Sequence, residues 1–461
     1  MQACLLLKQW SMTSNLKLRA AYAGSAIAFL FCSSTLRGEV RSDTNTVTLD
    51  QFLSLKQQND LLQQQVRRQQ ELIESLMHKV SAIEDANAKR DHNTSETLQT
   101  KPADETPPPG SPFHFGNVNL SGEGGAAFFH SQSLGQTPNA EFRIDEARVF
   151  LEAPIWKDVY LFSELDLAQR EVTDLTLRAG ELYLDFEDVS QLWGADRLLN
   201  LRVGRFNIPF GEEYQYRYAI DNPLISHSVM DLWGVDEGLE LYGRIGRVQY
   251  VAAVQNGGLP TSQDFNADKA VVGRVSYDPT KWLHLSLSGM RTGDLDVAND
   301  QLSAMWFGNG WFRSLGSAAT TQFHVNLVEG DVQFRFPGIL VRTAGGYVGY
   351  ADNDPAGPNH RDVYYYYLEG VKDLTRKLYA AARLSEVFAP GGFPIVGNGN
   401  MSEYLFGPLT TDYWRLGLGM GYRFSSNLIV KGEYSLNEGH VANGQPRRQE
   451  NLFALEAAFR F

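Results

Sequence analysis

From residue 114 onward the chain alternates apolar and polar side chains with a period of two. Trp414, Leu416, Leu418, Met420, Tyr422 and Phe424 interleave with Arg415, Gly417, Gly419, Gly421 and Arg423. Leu428, Val430, Tyr434 and Leu436 interleave with Lys431, Glu433, Ser435 and Asn437, and Val159, Leu161, Leu165 and Leu167 with Tyr160, Phe162, Glu164, Asp166 and Arg170. Successive side chains of a strand point to opposite faces, so each segment has one apolar face with aromatics near its ends. The other face mixes glycine with charges of both signs. A soluble sandwich puts its polar face in bulk water and has little use for glycine and paired opposite charges there. The pattern slips one residue between Asp145 and Glu146, which predicts a β-bulge. About sixteen strands are expected, near 117–132, 141–153, 157–171, 174–188, 198–206, 236–244, 247–257, 268–278, 283–293, 321–335, 338–351, 363–374, 377–389, 412–424, 426–438 and 450–461.

Tight joins at Gly246, Asp278-Pro279, Pro337-Gly338 and Ser425-Ser426-Asn427 alternate with long joins at 207–235, 294–320 and 390–411. Ahead of the strands the period changes. Phe52, Asn59, Val66, Ile73 and Val80 hold one position of a heptad, and Leu55, Leu62, Gln69, Leu76 and Ile83 hold the other. The uninterrupted three–four spacing over residues 49–84 predicts a left-handed coiled coil, hence self-association, rather than a lone amphipathic helix. Its β-branched and Leu positions lean toward a dimer, which an attached barrel can override. Residues 85–113 are polar and Pro-rich, a linker. Residues 1–38 read as a signal peptide: Lys17 and Arg19, an apolar run from Ala20 to Phe31, then small residues. Met12 is an alternative start.

Composition narrows the class further. Past residue 40 no stretch supplies the roughly 20 apolar residues of a spanning helix. The two cysteines, Cys4 and Cys32, both precede that point, which suits an exported chain without disulfides. A mean hydropathy of -0.29 suits a barrel in which only alternate residues face lipid. The formal charge of -13 argues against nucleic acid as a partner, because phosphate binding wants a basic stripe.

The chain ends NLFALEAAFRF, with Phe453, Leu455, Ala457, Phe459 and Phe461 on one strand face and Ala454, Glu456, Ala458 and Arg460 on the other. This resembles the closing strand of an outer-membrane β-barrel, in which the terminal Phe, here Phe461 with Phe459, belongs to the signal read by the barrel assembly machinery. The bland alternative is an edge strand of a soluble sandwich. The segments FRIDEARVFLEAPI (Phe142–Ile155), LRVGRFNIPFGEE (Leu201–Glu213) and VVGRVSYDP (Val271–Pro279) resemble those of the phosphate-selective porin family. The resemblance implies a 16-stranded trimeric barrel in the outer membrane, in some members with a periplasmic coiled coil, and a water-filled pore narrowed by the loop after Pro-Phe-Gly. The expectation is thus an all-β transmembrane antiparallel barrel over residues 114–461, preceded by an α-helical coiled coil.

The narrowing loop here is Asn207–Gly234, with Glu212, Glu213, Arg217 and Asp221. If it folds inward, Arg217 with Arg143, Arg148, Arg178 and Arg202 could make a cationic track. The alternative is that these arginines pair with Glu164, Asp166, Glu181 and Asp185 on neighbouring strands. The stretch holds no lysine, and Asp145 and Glu146 stand beside Arg148, so the family name does not carry phosphate over as the solute. No nucleophile–base pair, phosphate-cradling loop or metal-ligand spacing is present; no cofactor and no enzymatic activity are expected. Passive diffusion of small hydrophilic solutes or anions is the leading expectation. A plugged barrel with a structural or adhesive role is the second, prompted by the aromatic loop Trp306, Phe307, Trp311 and Phe312. A soluble secreted β-domain is the third.

Overall fold

The computed structural model describes residues 113–461 apart from 116, 170–176, 196, 259–263, 301–304, 306–310, 313–314, 316–318 and 396–407. The expected signal peptide, the heptad segment and nearly all of the linker lie outside the described residues. Sixteen long strands follow one another: β1 (Val118–Ser131), β2 (Glu141–Trp156), β3 (Val159–Ala168), β4 (Arg178–Phe186), β5 (Asn200–Asn207), β6 (Val235–Ile245), β7 (Val248–Gln255) and β8 (Ala270–Thr280). Then come β9 (Leu283–Arg291), β10 (Gln322–Phe336), β11 (Ile339–Asp352), β12 (His360–Asp373), β13 (Leu378–Pro394), β14 (Leu409–Ser425), β15 (Leu428–Val441) and β16 (Leu452–Arg460). Each pairs antiparallel with the next, and β16 returns to β1 from Leu452↔Ser131 to Arg460↔Glu123, closing the sheet into a barrel. Closure leaves no unpaired sheet edge, the condition for strands to cross a bilayer. The exchange Phe461 N–H to Gly122 O at 2.9 Å and Gly122 N–H to Phe461 O at 3.1 Å extends the seam to the last residue.

The expected strands are all present, and the phase slip is a bulge. Gly125 pairs with Glu146 and Ala126 with Ile144, so Asp145 is the extra residue of the bulge. Two joins differ from expectation. β8 runs on through Asp278-Pro279 to Thr280, so its turn is at 281–282, and β13 and β14 reach to Pro394 and Leu409, shortening the 390–411 join. The joins at one end have two to four residues, except 187–199. There the Asp188 carboxylate accepts from the Ser190 hydroxyl at 2.7 Å and the Arg197 N–H at 2.6 Å, fixing a 3-10 turn over Val189–Trp193. The other long joins lie at the opposite end.

Along β14 and β16 the apolar face points outward. Leu418, Met420, Tyr422, Phe424, Phe453, Leu455, Phe459 and Phe461 are exposed, while Arg415, Glu456 and Ala458 are buried inside. Near the short-turn end Trp282, Phe334 and Phe336 stack with centroids 6.0 to 6.4 Å apart, an aromatic belt of the kind that marks a membrane interface. The Tyr364–Tyr367 run divides between faces: Tyr364 and Tyr366 are exposed outside, Tyr365 and Tyr367 buried inside.

Toward the long-loop end the rule reverses. In β10 the inward residues Glu329, Asp331 and Gln333 give way to Phe323, Val325 and Leu327, while His324 and Asn326 turn outward, with no break in register. Val272, Met290, Val348, Tyr350, Val363, Val387 and Ala389 join them in one dry core inside the barrel mouth, completed by Ile208, Phe210, Met230, Trp311 and Phe312 from the loops. Side chains of this size contribute about 1.5–3 kcal/mol each when fully buried. Trp311 and Phe312 therefore pack into the barrel mouth; Trp306 and Phe307 lie outside the described residues.

Candidate functional site: the lumen and its infolded loop

The connection from β5 to β6, residues 208–234, enters the lumen. Its first turn is set by Ile208-Pro209-Phe210-Gly211. Gly211 has φ +64, a left-handed conformation that favours glycine, and its N–H donates to Ser288 Oγ at 3.0 Å while Arg274 donates to its carbonyl at 2.6 Å. Phe210, with Ile208, Val229, Met230 and Leu232, roots both ends of the loop in the dry core. Between the roots the chain crosses to the far wall, where Ala219 N–H donates to Glu146 on β2 at 3.0 Å and Val229 N–H to Ser385 on β13 at 3.2 Å.

The candidate residues fall into separate ion pairs. Arg148 lies buried among Glu146 at 3.1 Å, Glu164 at 3.4 Å and Glu123 at 3.9 Å, with its guanidinium 3.4 Å from the Tyr218 ring centre. Arg202 bridges Asp185 and Glu240, each at 3.0 Å, over the rings of Tyr183 and Tyr242. Arg143 is within 3.6 Å of Glu141, and Arg178 is exposed opposite Asp166. In the loop, Arg217 pairs with Asp231 at 2.7 Å and lies over Trp233, Glu212 meets His284 at 2.7 Å, and Glu213 accepts from the Ser228 N–H and hydroxyl at 2.9 and 2.6 Å. Asp221, at the inner end, pairs with Arg460 at 2.5 Å. Arg148 and Arg217 flank one ring, Tyr218, but Arg202 belongs to a different cluster.

Burial pushes the Asp231 carboxyl upward, but Arg217 and His227 outweigh it and hold the group well below the ordinary range. Burial dominates at Glu213 and raises it, against the opposing charge of Arg383. At mid-height the wall is tightly covered: Glu164, Glu369, Arg383, Lys431 and Glu433 are each less than a tenth exposed. A cavity of about 360 Å³ lies along β4–β8, lined by Glu181, Tyr183, Arg202, Tyr214, Glu240 and Arg274 among others. Among the described residues no cluster of His, Cys, Asp and Glu is arranged to hold a metal ion.

Lys431, Glu433, Arg383, Arg415 and Tyr379, which hold the loop from the wall, were not among the sequence candidates. The signal for two of them is present: Lys431 and Glu433 stand two apart on the polar face of β15.

A closed antiparallel barrel with an apolar outer surface and an infolded loop is the architecture of outer-membrane channels. The solved outer-membrane channel DcaP of Acinetobacter baumannii is similar, with a TM-score of 0.51 at 14% identity over 75% of this chain and 97% of that one. An outer-membrane protein of Vibrio cholerae, OmpT, follows with a TM-score of 0.48 at 11% identity over 75% and 97%, and an anion-selective porin from Comamonas acidovorans with 0.48 at 10% over 74% and 98%. At 14% identity the likeness to DcaP shows the barrel fold. No protein-family model matches the chain, and no curated protein matches it.

Proposed function

We propose that this chain is an outer-membrane porin that lets small hydrophilic solutes or anions diffuse passively through a lumen narrowed by residues 207–234. The observation that carries the reading is a closed barrel, apolar outside and charged inside, with one long loop folded into its middle. Mixed lumen pairs such as Arg202 with Asp185 and Glu240 favour polar solutes over lipid-soluble ones. Membership of the phosphate-selective family and a homotrimer rest on the resemblance of the three segments quoted above, and a periplasmic coiled coil over 49–84 rests on the heptads. Residues 1–38 as signal peptide, 85–113 as linker and 114–461 as barrel complete the proposed organisation. Purified protein reconstituted in planar bilayers should conduct, and liposomes containing it should swell with small sugars; silence in both assays refutes the reading. One observation favours the plugged-barrel alternative: the dry core inside the mouth, with Trp311 and Phe312 sealed into it. Swelling with small sugars separates the two.

A further inference from the structure

The infolded loop leans to one side of the lumen. Its tip is held by the wall of β12–β15. Lys431 donates to the carbonyls of Ala219 at 2.6 Å and Leu224 at 2.9 Å, Glu433 accepts from the Ile225 N–H at 2.6 Å, and Arg383 donates to Ser226 O at 2.8 Å. Leu224 and Ile225 are buried there, and Glu369, Arg383, Lys431 and Glu433 are shut away from water with them. The facing wall, about half-way round the barrel, is different. On β4–β8 the inward side chains Glu181, Tyr183, Arg202, Tyr242 and Arg274 are only half-buried, and Gln249 is exposed. Between them and the loop residues Pro209, Tyr214 and Gln215 lies the cavity of about 360 Å³. The space that the seated loop leaves is on this side.

The charges of this cavity come as matched groups. Arg202 is 3.0 Å from both Asp185 and Glu240. Arg274 donates to the Gly211 carbonyl at 2.6 Å and to the Tyr214 hydroxyl at 3.0 Å, and Glu181 accepts the Asn207 N–H at 2.7 Å. Two arginines and two glutamates line the space, so neither sign of solute charge finds an unopposed partner. A phosphate or carboxylate meets Glu181 and Glu240 as well as the arginines, and an ammonium meets the arginines. A neutral hydroxyl meets neither repulsion. It is donor and acceptor at once, so it can use the lone pairs that the carboxylates keep beyond their present bonds, and the amides of Gln215 and Gln249 offer both kinds of partner. Tyr214, Tyr242, Pro209 and Val251 supply apolar surface between these polar points. The volume lies at the small end of the range of about 300–1,000 Å³ for ligand sites, which suits a single sugar ring or a polyol.

We propose that this cavity is a solute subsite for neutral polyhydroxylated molecules the size of one sugar ring, and that permeation passes on this side of the loop. The subsite rests on the porin reading. Its test uses glucose, gluconate and glucosamine, which are close in size and hydroxyl content but neutral, negative and positive at about pH 6. Purified protein is reconstituted in vesicles, and release of each trapped, labelled solute is followed at one ionic strength. Glucose should leave about fivefold faster than either charged analogue, the scale of one partly exposed charge contact. Gln249 is exposed on the cavity wall, so a charge added there needs no other group to move. Gln249→Lys should speed gluconate and slow glucosamine, and Gln249→Glu should do the reverse. Retention of the heat-resistant barrel band on gels serves as the folding check. Equal release of the three solutes, or faster release of gluconate, from a conducting barrel overturns the neutral subsite and leaves the porin reading standing. Unchanged rates in both Gln249 variants overturn it as well, because the solutes then pass elsewhere. Silence of the unaltered protein toward ions and all three solutes refutes the porin reading itself, which separates the two failures.

Discussion

Leu418 offers the most direct test of which surface meets lipid. It lies on the outer face of β14 and is 48% exposed, midway between Trp414 and Phe424. Ten residues at about 3.3 Å rise, tilted by roughly 40°, span about 25 Å, the height of the apolar band of an outer-membrane barrel. Leu418 then stands near the bilayer midplane. Arginine placed there should cost about 2–4 kcal/mol, since no wall group can pair with it and snorkelling is longest from the centre. Asp412, on the same face but beyond Trp414 and half-buried beside His440, lies at the band's edge, where Asp412→Arg should cost about 1 kcal/mol or less. Reversible urea unfolding in lipid vesicles, followed by tryptophan fluorescence, measures both. The difference corresponds to a shift of about tenfold or more in the unfolding equilibrium. Equal costs at the two positions would refute the lipid-facing assignment and favour a soluble β-domain.

Four further outcomes follow, three from the structure and one from the heptads. Val325→Asp puts a carboxylate into the dry core at a site 0% exposed and should cost more than about 3 kcal/mol, whereas Asn326→Asp on the outer face should be nearly neutral by the same unfolding assay. Arg217→Glu leaves Asp231 buried beside a like charge, costs about 3–5 kcal/mol of loop seating, and should show as chymotrypsin cleavage within 208–234, at Tyr214, Tyr216 or Tyr218. Because Asp231 is held below its ordinary 3.8, its stabilising effect is complete above that value and lost only as pH falls through the lower, folded one. The deficit of Asp231→Asn should therefore be constant from pH 5 to 8 and shrink only in stronger acid. A peptide of residues 49–84 should be helical by circular dichroism and sediment as an oligomer; a monomeric coil would remove the heptad argument.

The strands were legible because lipid outside and water inside impose a period of two that survives in every segment. Even the bulge at Asp145 announced itself as a slip in phase. The dry mouth core was written in the same alphabet but under a different rule. Phe323, Val325 and Leu327 occupy the parity that elsewhere carries charge, because beyond the bilayer the outer face meets water and the inner face can be apolar. Charge type alone could not rank the lumen residues. Arg148 and Arg202 could be read as a cationic track or as paired with carboxylates of neighbouring strands, and only the three-dimensional structure decides for pairing: Arg148 meets Glu164, and Arg202 meets Asp185 and Glu240. Lys431 and Glu433 looked like ordinary lumen charges, since their partners are backbone groups some 207–212 residues away.

The seam between β16 and β1 also governs how the molecule must come together. Arg460 bonds Glu123 across 337 residues, the longest separation that any pair of neighbouring strands has to bridge. Relative to a hairpin of about 15 residues, closing such a loop costs roughly 3 kcal/mol more in chain entropy. It cannot begin until the C-terminal strand exists. Every other pairing joins neighbours in the chain and can form as a local hairpin, so closure stands as the slow, non-local step. The rings of Phe459 and Phe461 lie over Gly124 and Gly122, where side chains on β1 would obstruct them. That flat landing strip lets the last strand zip against the first, so β1 glycines bear on the rate of assembly as much as on the finished barrel.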